Sequence, residues 1–242
     1  MRYRFEYKYL IDAYTAAILR GRVAAVMRPD SHSNGSYTVN NLYLDDRYDS
    51  FYHGKYLGRL HRDKYRVRYY NDDLSMLRLE RKHKDGVRSY KDTTQITNEQ
   101  YMMIKSGDYG FLDGDTHPLL RQLAILHNLR TLRPTAVFAY EREAYTYAPG
   151  DVRITLDSPP YNAGADRIAG RTGHDPLALW FGRAAYDPLL LEVKYSGFMP
   201  RIIADMLYGL PLSHTDMSKY CIVRERGFLA HGVSGNTAGA AV

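Results

Sequence analysis

Residues 65–70 read YRVRYY, and residues 77–84 read LRLERKHK. In the first stretch Arg66 and Arg68 alternate with Tyr65, Val67 and Tyr69. In the second, Arg78, Glu80, Lys82 and Lys84 fall at every other position, with Leu77 and Leu79 between them. Period two is the strand period, so each stretch predicts a strand with one charged face and one apolar or aromatic face. The intervening Asn71-Asp72-Asp73 supplies the turn of a hairpin. For one such strand, a sheet face bathed in water is explanation enough.

The pattern recurs, and that changes its meaning. Arg4, Glu6 and Lys8 share a face of a strand over 2–11. Arg142 shares one with Tyr140 in 134–147, and Arg153 with Thr155 and Asp157 in 151–157. Glu192 and Lys194 share one in the apolar LLLEVKY of 189–195, and Ser218 and Lys219 open a last strand over 218–226. Further strands are predicted at 36–44, 63–71, 76–84 and 87–95. Helices are predicted over 13–28 after the cap Asp12, over 48–57, from Thr97 or Asn98 to Lys105 before Gly107, over 117–130 with Pro118 in its first turn, over 176–185, and from Pro200 to Tyr208. If helices cover the outside of this sheet, the charged faces must line something. The fold class is therefore α+β, an antiparallel β-barrel tunnel with a charged lumen and helices packed outside. No repeat or linker divides the chain. One domain is expected over 1–228, and the small, polar 229–242 reads as a disordered tail.

Composition agrees with a sheet-rich protein. Of 242 residues 23 are Tyr, against 7 Phe and 1 Trp, which suits half-wet strands. The formal net charge of +6 favours an anionic partner. The single Cys221 excludes an internal disulfide and any multi-cysteine zinc site. No window approaches a transmembrane segment, so a cytoplasmic protein is expected.

Arg and Lys outnumber Asp and Glu on the inward faces, and confined like charges call for an anion to neutralise them. Glu6, Glu80 and Glu192 pair with neighbouring cations or hold a hard divalent ion such as Mn²⁺ or Mg²⁺, which favours oxygen ligands shared with phosphate. A metal–triphosphate complex suits that set better than a nucleic-acid backbone, and no nucleic acid is expected as partner. There is no GxxxxGK[ST] loop, no G-x-S-x-G elbow and no His set at zinc spacing.

ExK at 6–8, YRVRYY, LERKHKDG, YEREAY with VRITLD, LLEVKY and SKY occur here in the order seen in the polyphosphate polymerase domain of the vacuolar transporter chaperone (VTC) family. The chain resembles that domain, a triphosphate tunnel metalloenzyme, over residues 2–226. The resemblance implies transfer of the ATP γ-phosphate to inorganic polyphosphate with Mn²⁺ or Mg²⁺. It implies that Lys8, Arg66, Arg68, Lys82, Arg142 and Arg153 hold phosphates at the catalytic centre. Glu6, Arg78, Lys84, Lys91, Tyr140, Lys194, Ser218 and Lys219 are assigned to substrate binding, with Lys219 near the product path. Glu192, and beside it Glu80, are assigned to the metal. Two departures stand out. The first strand reads Arg4-Phe5-Glu6-Tyr7-Lys8 where the wider superfamily has ExExK, and Asp216 stands where the polymerases carry a Lys. A metal-dependent triphosphatase and a non-catalytic polyanion-binding module remain the alternatives.

Overall fold

The computed structural model describes residues 3–30, 35–86, 88–115, 117–161 and 188–225. The helix predicted over 176–185 and the tail 229–242 lie outside the described residues. Ten strands form one antiparallel sheet. They are β1 Arg4–Ile11, β2 Arg28–Pro29, β3 Tyr37–Asp45, β4 His61–Tyr70, β5 Asp73–Asp85, β6 Arg88–Gln95, β7 Arg133–Tyr147, β8 Val152–Asp157, β9 Leu189–Tyr195 and β10 Ser213–His214. Eight of them run in the order β1-β6-β5-β4-β3-β7-β8-β9, and β9 pairs back onto β1 from Phe5↔Tyr195 to Ile11↔Leu189. The sheet thereby closes into a barrel with no free edge at that seam. The opposite edge of β1 is shared: Arg4 and Phe5 pair with β6, and Tyr9 and Leu10 pair with β10.

Strand parity sorts the side chains as the sequence predicts. Tyr65, Val67, Leu77 and Leu79 are buried on the outside of the barrel with residues of α3 (Asn98–Ser106) and α4 (Pro118–Arg130). Val152, Ile154, Leu191 and Val193 are buried with α1 (Ala13–Val26) and α5 (Arg201–Leu207). The helix starts follow their caps. Asp12 accepts from the Thr15 amide, and Thr97 and Gln100 form a reciprocal capping box. A shorter helix, α2 (Ser50–Tyr56), follows β3. The turn from β7 to β8 requires glycine at 150. Its φ is +73°, and an added Cβ would lie 2.7 Å from the Phe198 carbonyl oxygen.

The strand predicted over 218–226 is not there. The chain is helical over 219–225 (α6). Its buried residues are Tyr220, Cys221 and Arg224, a helical spacing, and Ser218 caps its start by accepting from the Cys221 amide. The short run YCIV is apolar enough to suit either element, and tertiary packing decides it. Tyr220 stacks on Tyr43 of β3 at 4.7 Å between ring centroids, and its hydroxyl donates to Asp45 at 2.6 Å. Phe138 and Tyr140 of β7 belong to the same buried cluster. One sector of the barrel interior is thus aromatic and closed by α6, and the charged sector lies opposite, on β1, β4, β5 and β9. Among the described residues no helix is long and apolar enough to cross a membrane.

Candidate phosphate tunnel

The barrel encloses a cavity of about 390 Å³, within the range of small-molecule sites. Eleven lysines and arginines line it against three carboxylates, Glu6, Glu192 and Asp216. The predicted residues that meet there are Glu6, Lys8, Arg66, Arg68, Lys82, Lys84, Tyr140, Arg142, Glu192, Lys194, Ser218 and Lys219. Arg78, Glu80, Lys91 and Arg153 do not line it. Arg153 hydrogen-bonds Asp30 and the Tyr37 hydroxyl instead. Glu80 is fully buried, with Oε2 taken by Arg66 at 2.6–2.8 Å and Oε1 by Lys91 at 2.7 Å. Arg78 faces the lumen by register, opposite Arg68.

Two carboxylates flank one ammonium at the centre. Glu6 accepts from Lys82 at 2.6 Å through Oε2, and Glu192 accepts from Lys194 at 2.6 Å through Oε2. Their Oε1 atoms stand 3.3 and 3.6 Å from Lys8 Nζ. Burial alone would push both carboxyls up. Lys82, Lys8 and Lys194 outweigh it at Glu6, and Lys194, Lys8, Lys219 and Arg142 outweigh it at Glu192, so both are held well below the usual carboxylate range. Asp157 is lowered against its burial in the same way, by Arg142 at 2.6 and 2.7 Å and Lys219 at 2.7 Å. Glu80 is likewise depressed despite burial, by Arg66, Arg68 and Lys91.

Other cations lack such partners. Buried Arg68 donates to Asn41 Oδ1 at 2.9 and 3.0 Å and to the Tyr140 hydroxyl at 3.1 Å, both neutral acceptors. Lys64 donates to Ser218 Oγ at 2.8 Å and lies over the Tyr220 ring. Desolvation lowers the lysine pKa at Lys64, and again at Lys82 and Lys84. Lys64 and Arg62 were absent from the sequence-predicted set. They continue the period-two face of Arg66 and Arg68, so counting back along the strand finds them. Lys55 of α2, which also lines the cavity, has no such signal.

The donors also answer whether a divalent cation fits. Among the described residues no three His, Cys, Asp or Glu side chains cluster as a metal site. Glu80 has no oxygen to spare. The Oε1 atoms of Glu6 and Glu192 accept no hydrogen bond and face the same point, and Glu6 Oε1 is buried without a hydrogen-bond partner. Two carboxylate oxygens suit a hard cation that takes its remaining ligands from phosphate.

A closed antiparallel barrel around a cationic bore is the architecture of the triphosphate tunnel proteins. Residues 3–226 match the VTC domain, and the chain belongs to the VTC domain family. No curated protein sequence matches it. Among solved structures, a "putative adenylate cyclase" from Bacillus halodurans is similar with a TM-score of 0.53 at 11% identity, over 90% of this chain and 96% of that one. Another so described, from Vibrio parahaemolyticus, gives 0.51 at 12% identity, over 91% and 97%. Such identities speak for the fold alone.

Proposed function

We propose that this tunnel is an ATP-dependent polyphosphate polymerase, moving the γ-phosphoryl group of ATP onto the end of an inorganic polyphosphate chain. The observation that carries this reading is that Glu6 and Glu192, the carboxylates at the centre of the cavity, are both bound by lysine and held in the ionised form. Depressed carboxylates are weak general bases. Hydrolysis needs a proton taken from water, whereas the terminal oxygen of a phosphate chain is already ionised near neutral pH. That oxygen forms the new bond to the γ-phosphorus as the bond to the β–γ bridging oxygen breaks, and ADP leaves. Nothing in this step calls for a base, so alignment and charge neutralisation carry the catalysis.

The chain's own residues divide that work. Lys8, Arg66, Arg68, Lys82 and Arg142 bind the phosphates and offset the repulsion between two polyanions. Tyr140 orients Arg68 through its hydroxyl, and Asp157 holds Arg142 and Lys219 in place. Triphosphate tunnel proteins generally use divalent metals. Here Glu192 with Glu6 would hold Mn²⁺ or Mg²⁺, rather than Glu80. When bound, such a cation stabilises charge on the phosphate oxygens during transfer. Arg153, Arg78, Glu80 and Lys91 then support the barrel around the site. A cytoplasmic setting follows from the ATP donor, and the free thiol of Cys221 agrees with it.

The test is incubation with ATP and Mn²⁺, with products resolved on a gel. Long polyphosphate chains are expected. Free phosphate alone would make the protein a hydrolase, and unchanged ATP with tight triphosphate binding would make it a binding module.

A further inference from the structure

The cations of the tunnel are not neutralised evenly along its length. The register of β4 against β5 sets Arg62 directly opposite Lys84, and Lys64 directly opposite Lys82. Like charges facing one another across strands are destabilising. Two successive pairs of them on one inward face are an unusual arrangement to keep. Glu6 relieves Lys82. Among the described residues Arg62, Lys64 and Lys84 form no ion pair at all, although all three line the cavity. The contrast lies further along the same faces, where Arg66 is closed by Glu80 and Arg142 by Asp157. Lys55 reaches the same end from α2, held only by the exposed Asp216 at 3.7 Å.

We infer that Arg62, Lys64 and Lys84 form a second anion subsite at this end of the tunnel, which takes the phosphates of a linear chain beyond those gripped around Lys8, Arg66 and Arg142. This rests on the phosphate-chain reading of the tunnel and gives the tunnel a direction. One end is neutralised by the protein itself and the other by the growing chain. Arg62 and Arg66 are four residues apart on one strand, about 13 Å, so no single phosphate touches both. A linear chain lying along β4 would meet Arg66, Lys64 and Arg62 in turn. The lowered pKa of Lys64 and Lys84 agrees with cations awaiting an anion.

The experiment is metal-free calorimetry with inorganic triphosphate and with a linear polyphosphate long enough to reach from Arg68 to Arg62, on the full chain. The wild type binds the longer chain more tightly, by about tenfold or more for each additional charge-assisted contact. In Arg62→Gln/Lys84→Gln the ratio of the two affinities falls toward one. Removing facing like charges leaves the melting temperature equal or higher, which separates lost binding from lost folding. If the wild type binds triphosphate but gains nothing from the longer chain, or if the double variant keeps the full ratio, the subsite is wrong and the tunnel reading stands. If an oligonucleotide of equal charge binds as tightly as the long chain, the end is a general polyanion surface and the inference also fails. If triphosphate itself does not bind the wild type, the fault lies in the proposed function.

Discussion

Replacing Lys64 by Met tests the idea that the tunnel stores uncompensated positive charge. Lys64 Nζ has Ser218 Oγ at 2.8 Å, Cys221 Sγ at 3.6 Å and the Tyr220 ring at 5.2 Å around it, and no carboxylate. Met has similar length, packs on an aromatic ring and carries no charge. Replacing buried ionic groups by packed apolar ones is often neutral or stabilising, by about 1–4 kcal/mol. The lost hydrogen bond to Ser218 opposes this by about 1 kcal/mol. The net effect on the empty protein is a rise of about 0–3 kcal/mol, or up to roughly 10 °C in Tm for a chain of this size. Triphosphate should lose one charge-assisted contact, about 1.5–3 kcal/mol, which is about ten- to a hundredfold in Kd.

Stability and binding therefore move in opposite directions in one variant. Thermal melts without ligand read the first, and metal-free calorimetry with triphosphate reads the second. A fall in Tm of several degrees together with unchanged affinity would refute the reasoning. Lys64 would then be a structural donor to the Ser218 cap, and not a cation kept for phosphate.

Four further outcomes are expected. Glu192→Gln should bind metal-free triphosphate as well as or better than the wild type while losing Mn²⁺-dependent turnover; near-normal turnover would end the metal assignment. Asp157→Asn leaves Arg142 and Lys219 buried without their counter-ion, a change of about 3–5 kcal/mol that melting experiments should show as a drop of about 6 °C or more. Arg68→Gln should weaken triphosphate binding at least tenfold, whereas Arg153→Gln, outside the cavity, should chiefly lower stability by freeing Asp30; calorimetry showing equal affinity losses would overturn that distinction. The depressed carboxyls of Glu6, Glu192 and Asp157 stabilise the fold above the ordinary carboxylate pKa. That contribution is lost only as pH falls through their lowered native values, so an acid titration followed by circular dichroism should keep the barrel intact through pH 4.5; unfolding centred at or above that pH would contradict the ion-pair network.

Strand parity made much of this legible from sequence. Alternation of Arg66 with Val67, or of Glu192 with Val193, fixes which side chains share a face, and closure of the sheet turns that shared face into a lumen. Parity says nothing about height along the barrel axis, which depends on strand stagger. Arg153 shares its inward face with Asp157, yet four residues separate a contact with Asp30 from one with Arg142 and Lys219. Pairing is also hidden, because it depends on register between strands distant in sequence. Nothing in LERKHK announces that Arg66 and Lys91 will close both oxygens of Glu80. The C-terminal helix α6 was lost for a different reason. YCIV fits a strand locally, and only stacking of Tyr220 on Tyr43 inside the barrel selects the helix.

The carboxylates of the tunnel pose the remaining physical question, since a site for polyanions gains nothing by direct attraction from Glu6, Glu192 or Asp157. Their contacts give an answer. Each holds at least two cations in fixed positions: Glu6 holds Lys82 and Lys8, Glu192 holds Lys194 and Lys8, and Asp157 holds Arg142 and Lys219. Free lysine side chains would lose rotamer freedom on binding phosphate, at about 0.5–1.5 kcal/mol each. Cations already ordered by a carboxylate have met that cost during folding, and they can turn to phosphate without leaving their rotamers. The same carboxylates keep the mutual repulsion of the empty tunnel low enough for the barrel to close. They neutralise the centre, where alignment of the reacting phosphates matters most, and leave Arg62, Lys64 and Lys84 bare where a chain has only to be held.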